Sequence, residues 1–208
     1  MRPLLSTCAL LASLAASAFA QTEHLPLKDG SLRFAVIGDA GTGGSRQFEI
    51  ARQLANFRER FPFEFAIMLG DNLYGSERAS DYEEKFERPY KPLLDAGVKF
   101  YASLGNHDEP SQRFYKPFNM GGERYYGFSP KRGIRFIALD SNLVDRAQLE
   151  WLEKELASHQ ADWTICFFHH PPYSSGDRHG SDELLREQLE TLFLKPGVSV
   201  VFTGHEHL

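Results

Sequence analysis

Five short apolar runs, each followed by residue types that bind metal ions, place the strongest constraint on how this 208-residue chain can fold. The clearest is FAIMLGDNLY at residues 65–74, where the apolar run stops at Gly70 and polar residues begin at Asp71. Similar runs occupy residues 34–41, 100–109, 164–173 and 198–207. Such a run is typical of a strand buried on both faces, and glycine allows the sharp turn that follows it. Because open α/β sheets bind ligands beyond the carboxyl ends of their strands, the five runs predict a site built from strand ends.

Segments with a helical period separate the predicted strands, because their apolar residues recur at spacings of three and four. Four helices are therefore expected, at residues 45–61, 82–96, 147–159 and 181–194. Pro89 and Pro92 are expected to break the second helix, and Ser181 to cap the last. Residues 124–128 and 134–139 predict a hairpin. Strands alternating with helices around one inserted hairpin predict a layered α/β fold, with a mixed sheet or two sheets between helices.

The first twenty residues have the composition of a secretory signal peptide. Arg2 is their only charged residue, residues 4–14 are mostly apolar, and Ala18-Phe19-Ala20 matches a small-x-small cleavage site. The apolar stretch is too short and too rich in Ala and Ser to span a bilayer, so no stable membrane anchor is expected. The sequence thus predicts a secreted or periplasmic domain formed by residues 21–208.

The charge balance limits the partners that are expected. Without the predicted leader, the chain has 22 Lys and Arg against 28 Asp and Glu, a net charge of −6. This balance argues against a groove for the phosphate backbone of nucleic acids. Cys166 is then the single cysteine, so no intramolecular disulfide is expected. These features do not specify an oligomeric state.

The residues that follow the five runs share donor atoms suited to metal ions, and they are Asp39, Asp71, Tyr74, Asn106, His107, His169, His205 and His207. Oxygen donors mixed with imidazoles suit borderline divalent or ferric ions better than Ca²⁺ or Mg²⁺. The set is too large for one tetrahedral ion, and two ions held close together need a bridging carboxylate. Each residue alone has an ordinary alternative, such as a surface loop for His205 or a turn for Asn106. Together, at the ends of five strands, they predict metal binding.

The five motifs resemble the ordered motifs of the calcineurin-like metallophosphoesterases. They read GDAG at 38–41, GDNLY at 70–74, GNHDE at 105–109, FHHPP at 168–172 and GHEH at 204–207. The tyrosine of GDNLY narrows the resemblance to the purple acid phosphatases. The resemblance implies a layered two-sheet β-sandwich flanked by helices, with a dinuclear metal centre at the carboxyl ends of the strands.

The resemblance also implies a metal-binding role for seven residues. A ferric ion would be held by Asp39, Tyr74 and His207. A divalent Fe, Zn or Mn ion would be held by Asn106, His169 and His205. Asp71 would bridge the two ions.

The same resemblance implies catalytic roles for three further residues. His107 would protonate the leaving alkoxide, with Asp108 orienting its imidazole, and His179 would be a second substrate-side histidine. The implied reaction is attack of a metal-bound hydroxide on a phosphate ester. LDSN at residues 139–142 and the helix at 148–156 are interpreted as scaffold.

Three functions remain compatible with these residues. The first is a secreted dinuclear phosphomonoesterase of acid phosphatase type that acts on small phosphate esters. The second is a phosphodiesterase or nucleotidase with the same metals, and the third is a non-catalytic metal-binding module, which the intact His107-Asp108 pair disfavours. Because the family's domain continues past GHEH into further sheet, the domain at residues 21–208 is expected to lack its C-terminal part.

Overall fold

The computed structural model describes residues 28–159, 161–195 and 197–207. The predicted leader at residues 1–20 lies outside the described residues. Within the described part, every helix is too short or too polar to cross a membrane.

In the part of the chain that the structure describes, seven strands form two sheets. The strands are β1 Phe34–Ile37, β2 Phe65–Leu69, β3 Lys99–Ser103, β4 Tyr126–Lys131, β5 Ile134–Ala138, β6 Trp163–Phe168 and β7 Val200–Thr203. The first sheet is parallel, in the order β1-β2-β3, and the second has the order β4-β5-β6-β7. Only the β4–β5 hairpin pairs antiparallel in the second sheet, and its register shifts between Phe128 and Lys131. Parallel pairing brings the carboxyl ends of β1, β2 and β3 to one edge of the first sheet, and those of β5, β6 and β7 to one edge of the second. The two edges meet, because the His169 ring after β6 lies 2.9 Å from Leu69 O at the end of β2.

Helices cover the outer faces of both sheets. They are α1 Ser45–Arg60, α2 Ala79–Tyr82, α3 Arg88–Asp95, α4 Arg146–Ser158 and α5 Glu183–Leu194. Apolar residues of α1 and α3 pack on the first sheet, and those of α4 and α5 pack on the second. Between the sheets lies a third cluster that includes Phe65 and Ile67 of β2 with Phe136 of β5 and Phe167 of β6. The layers therefore run helix, sheet, sheet, helix, which confirms the predicted two-sheet sandwich.

Two local expectations were wrong. The region around Pro89 and Pro92 is not broken, because a π-helical turn at Glu83–Glu87 joins α2 to α3. Pro89 is the second residue of α3 and Pro92 lies within α3, so continuous helical backbone accommodates both prolines. The N-cap of α5 is Asp182, whose side chain accepts a hydrogen bond from Leu185 N at 2.9 Å. Ser181 instead bonds to Ser174, so it closes the preceding loop.

Candidate metal centre

The loops that follow β1, β2 and β7 reach the site through strained backbone. Asp39, Asp71 and His205 have φ values of 54°, 49° and 69°, and they are three of the four non-glycine residues with positive φ in the described chain. This left-handed conformation is unfavourable for residues with a Cβ and is concentrated at functional sites. The surrounding hydrogen bonds hold it, because His205 N donates to both carboxylate oxygens of Asp39 at 3.1 and 3.0 Å.

The loops after β1 and β2 are also bound to one another. Asp39 N donates to Gly70 O at 3.1 Å, and Tyr74 N donates to Gly41 O at 2.9 Å. Gly41 allows this close approach, since a Cβ there would lie 1.9 Å from Asn72 O. The predicted metal ligands of these two loops are therefore held by backbone that cannot move independently.

Three histidines form one cluster at the ends of β6 and β7. Ligand atoms of His169, His170 and His205 lie within 4.8 Å of one another. His169 is fully buried and its Nδ1 lies 2.9 Å from Leu69 O, so the ring carries its proton on Nδ1 and presents a bare lone pair on Nε2. That Nε2 lies 2.9 Å from Asn106 Oδ1 and 3.0 Å from His205 Nδ1. Each of these three atoms is able to offer a lone pair, and their convergence is the arrangement that a cation satisfies.

Two carboxylates, a phenol and a histidine form a second cluster. Ligand atoms of Asp39, Asp71 and His207 lie within 4.8 Å of one another. His207 Nε2 is 3.2 Å from Asp39 Oδ1 and 3.3 Å from the hydroxyl of Tyr74. Asp71 Oδ1 is also 3.5 Å from His169 Nε2 in the histidine cluster. Asp71 thus lies between the two clusters, which fits the predicted bridge.

Burial sets the protonation of these groups. It lowers the pKa of His169 to about 4, and it also lowers the pKa of His170 and His205, so these imidazoles are held neutral. Burial raises the pKa of Asp39, against the lowering effect of its hydrogen bond from His205 N. Neutral imidazoles and carboxylates are the forms in which these groups bind metal ions. The donor atoms of the two clusters therefore fit two cations.

Asp108 does not orient His107, contrary to the sequence-based expectation. Its carboxylate accepts hydrogen bonds from Gly105 N at 2.8 Å, from Asn72 N and Leu73 N at 3.0 Å each, and from Gln112 Nε2 at 2.8 Å. Burial raises the pKa of Asp108 to about 7 against the lowering effect of these bonds. Among the described residues, no hydrogen bond joins it to the His107 ring. Asp108 is bound to the backbone because three N–H groups of neighbouring loops point at it.

The two predicted substrate-side histidines are exposed, one beside each cluster. His107 donates its backbone N–H to Asp71 Oδ1 at 3.0 Å, and its ring lies 5.0 Å from the Tyr74 ring. The His179 ring lies 4.2 Å from the His205 ring. Both side chains are therefore at the opening of the site rather than in its interior.

The structure adds two contacts at the site that the sequence did not predict, one by Ser141 and one by Arg178. Ser141 of LDSN bonds to His170 Nδ1 at 2.9 Å and accepts from His170 N at 3.0 Å. Arg178 Nη1 is 3.4 Å from His207 Nδ1, and Glu206 accepts bonds from the loop that carries Arg178. In the sequence, Ser141, Arg178 and Glu206 are distinguished only by lying in or near a motif. That position does not show whether a side chain contacts the site or faces solvent.

Comparisons with known proteins identify the class. The family model described as calcineurin-like phosphoesterase matches residues 32–208. The tartrate-resistant acid phosphatase type 5 of Rattus norvegicus is 26% identical over 226 residues, which cover 88% of this chain and 69% of that protein. Taken with the two-sheet fold, these matches define a metal-dependent phosphoric ester hydrolase. The chain belongs to the calcineurin-like phosphoesterase family, as its motifs predicted.

Solved structures share the fold at lower identity. Purple acid phosphatase PPD1 of yellow lupin, Lupinus luteus, superposes with a TM-score of 0.63 at 22% identity, covering 84% of this chain and 37% of that one. A Plasmodium protein described as GAP50, the anchor in the inner membrane complex, gives a TM-score of 0.69 at 22% identity and covers 84% of this chain and 66% of that one. One fold therefore serves proteins that are described very differently, so function must be argued from the site.

Proposed function

We propose that this chain is a phosphomonoesterase of purple acid phosphatase type that hydrolyses small phosphate esters at a dinuclear centre. The observation that carries the proposal is the position of Tyr74, whose hydroxyl lies 3.3 Å from His207 Nε2 in the cluster that also contains Asp39. A phenol among carboxylates and an imidazole suits a hard ferric ion. Similarity to a tartrate-resistant acid phosphatase supports the same reaction.

The two clusters would hold different ions. Ferric iron would be held by Asp39, Tyr74 and His207, and a divalent Fe, Zn or Mn ion by Asn106, His169 and His205. Asp71, which faces both clusters, would be shared. When bound, the two ions supply positive charge that acidifies a water molecule and neutralises the phosphate oxygens.

The chain's own groups complete the reaction at the opening of the site. His107 donates a proton from an imidazole nitrogen to the oxygen of the leaving alcohol, which removes the charge that develops there. His179, whose ring lies 4.2 Å from the His205 ring, would hydrogen-bond the phosphate. The backbone N–H of His107 donates to Asp71 Oδ1 at 3.0 Å, so the backbone that carries the proposed acid is held against the shared carboxylate. Asp108 contacts neither the substrate nor the transferred proton in this proposal. It instead holds the loop backbone next to Asp71 and His107.

The reaction class is tested with two chromogenic substrates. We expect protein loaded with iron and a divalent ion to hydrolyse p-nitrophenyl phosphate and to act poorly on bis-p-nitrophenyl phosphate. Preference for the diester would assign a phosphodiesterase instead. Failure to hydrolyse either compound at full metal occupancy would make the chain a non-catalytic member of the fold.

The iron assignment is tested by colour. Ferric iron bound to the Tyr74 phenolate gives a visible charge-transfer band, and we expect Tyr74→Phe to abolish the band while both ions remain bound. Elemental analysis gives occupancy, and the absorption spectrum gives the band. Colourless wild-type protein with fully occupied, oxidised iron would remove Tyr74 from the ligand set.

Export is part of the proposal. Cleavage after Ala20 would release a mature chain beginning at Gln21, as the small-x-small pattern indicates. N-terminal sequencing of the protein recovered outside the cytoplasm tests this, and an intact Met1 would contradict it. We propose no nucleic-acid partner, because the net charge is negative.

A further inference from the structure

The carboxylate of Glu206 is hydrogen-bonded to the loop that carries His179. Glu206 lies between His205 and His207 in the GHEH motif. Its Oε1 accepts a hydrogen bond from Arg178 N at 3.1 Å, and its Oε2 accepts from His179 N and Gly180 N at 2.9 Å each. Three consecutive backbone donors on one carboxylate make a set of charge-assisted bonds, which are about twice as strong as neutral ones.

The loop is shaped to receive this side chain. A Cβ at Gly176 would lie 2.4 Å from Glu206 Cγ, Cδ and Oε1, so only glycine lets the loop close over the carboxylate. Gly180 has a φ of 74°, which turns the backbone so that its N–H joins the same acceptor. At the base of the loop, Ser174 N donates to Ser181 Oγ at 2.9 Å. The serine pair closes the base, and Glu206 fixes the tip.

The tip is the part of the loop that meets the site. The His179 ring is 4.2 Å from the His205 ring, and Arg178 Nη1 is 3.4 Å from His207 Nδ1. Both side chains are exposed, so few packing contacts restrain them. Without Glu206, the tip that carries His179 would lose the three backbone hydrogen bonds that hold it to the loop after β7.

We propose that Glu206 is a positioning residue that sets the placement of His179 at the opening of the metal centre. The role of His179 in this inference rests on the proposed function. The attachment of Glu206 to the loop rests only on the three hydrogen bonds. Glu206 touches neither substrate nor ion in this role. It couples the loop after β7, which carries two proposed ligands, to the loop that carries a substrate-side group.

The first test measures the loop without using activity. Glu206→Gln keeps the shape of the side chain but leaves only one acceptor oxygen, so part of the set of bonds is lost. We expect amide hydrogen exchange at Arg178, His179 and Gly180 to become about ten- to hundred-fold faster, as loss of a hydrogen bond to a charged group allows. The matched control is Glu183→Gln, which removes a charge from a side chain that is 76% exposed and paired with Arg186 at 3.6 Å. Exchange rates that are unchanged in Glu206→Gln would overturn the proposal.

The second test uses a double-mutant cycle. We expect Glu206→Gln to lower kcat/KM about ten- to hundred-fold, the effect of a misplaced substrate-side group, with both ions still bound. In a His179→Ala background, the same change should have no further effect. Equal losses in the two backgrounds, or loss of an ion, would show that Glu206 acts on the metal centre and not through His179. If wild-type protein hydrolyses no phosphate ester, the proposed function fails, and the exchange measurement still decides whether Glu206 holds the loop.

Discussion

A single carboxylate, Asp108, holds together the loops that follow two neighbouring strands. It binds Asn72 and Leu73 after β2 and Gly105 after β3. We expect Asp108→Ala to lower the free energy of unfolding of metal-free protein by about 3 kcal/mol, because several backbone donors lose their acceptor at a partly buried site. Urea denaturation measures this, and Asp108→Asn, which keeps one acceptor oxygen, should lose less. A variant as stable as wild type but altered only in its pH–rate profile would restore Asp108 as the partner of His107.

For His107 we expect a loss of activity and not of stability, because its side chain is exposed at the opening of the site. We expect His107→Ala to keep both ions and the wild-type stability while kcat falls about 10²- to 10⁴-fold, the range for a general acid. Substrates with good leaving groups need less protonation and should be affected less. Asp71→Ala is the contrasting variant, because loss of the shared carboxylate should empty the centre. Loss of an ion from His107→Ala would place its side chain among the ligands.

The sequence pattern predicted which side chains lie close together at the strand ends, but not how the backbone holds them. Asp39, Asp71 and His205 could be found because each follows an apolar run, whereas their left-handed backbone depends on contacts between loops that are distant in the sequence. Asp108 follows His107 directly, and this adjacency favoured a pair that the backbone geometry does not form. Glu206 also has no distinctive pattern, because a glutamate between two histidines is chemically plausible on any exposed turn.

Among the structural elements, the loops after β2 and β3 pass so closely that one glycine decides their packing. A Cβ at Gly105 would lie 2.2 Å from Asp71 N and 2.3 Å from Asp71 Oδ1. We expect Gly105→Ala to displace Asp71, abolish tight metal binding and lower the free energy of unfolding by about 1–3 kcal/mol, as overpacking does. Metal titration and urea denaturation measure the two effects. Gly44→Ala is the control, because its nearest contact would be Thr42 Oγ1 at 3.4 Å, and two tightly bound ions in Gly105→Ala would refute the steric argument.

Strands were predictable in this chain and the boundaries of some helices were not. Apolar runs such as that of β2 are dictated by burial on both faces, which leaves a clear sequence pattern. The segment around Pro89 depends instead on a π-helical turn that precedes it, and such a turn is set by packing against the first sheet. The cap of α5 falls on Asp182 and not Ser181 because both residues can cap, and the loop bond to Ser174 decides between them.

At the scale of the whole molecule, the two sheets share one aromatic core. Phe136 of β5 lies 5.3 Å from Phe65 of β2 and 5.0 Å from Phe34 of β1, ring centre to ring centre, with the rings edge to face in both pairs. Aromatic pairs in this geometry stabilise beyond the area that they bury. One core thus fills the space between the two sheets, and we infer that the sheets unfold together.

The metal centre extends the same coupling, because its proposed ligands come from loops of both sheets. Ions that bind only the folded chain should raise its free energy of unfolding, by about 2.7 kcal/mol at a free concentration one hundred times the Kd of a site. Trp151 in α4 and Trp163 in β6 are the only tryptophans, so fluorescence follows the second sheet, while far-ultraviolet circular dichroism follows both halves. We expect the two urea transitions to coincide without metal and to move together when iron and a divalent ion are added. Asp71→Ala should show no shift. A fluorescence transition that moves alone would mean that the ions are held by the second sheet only, and that the first sheet contributes no ligand.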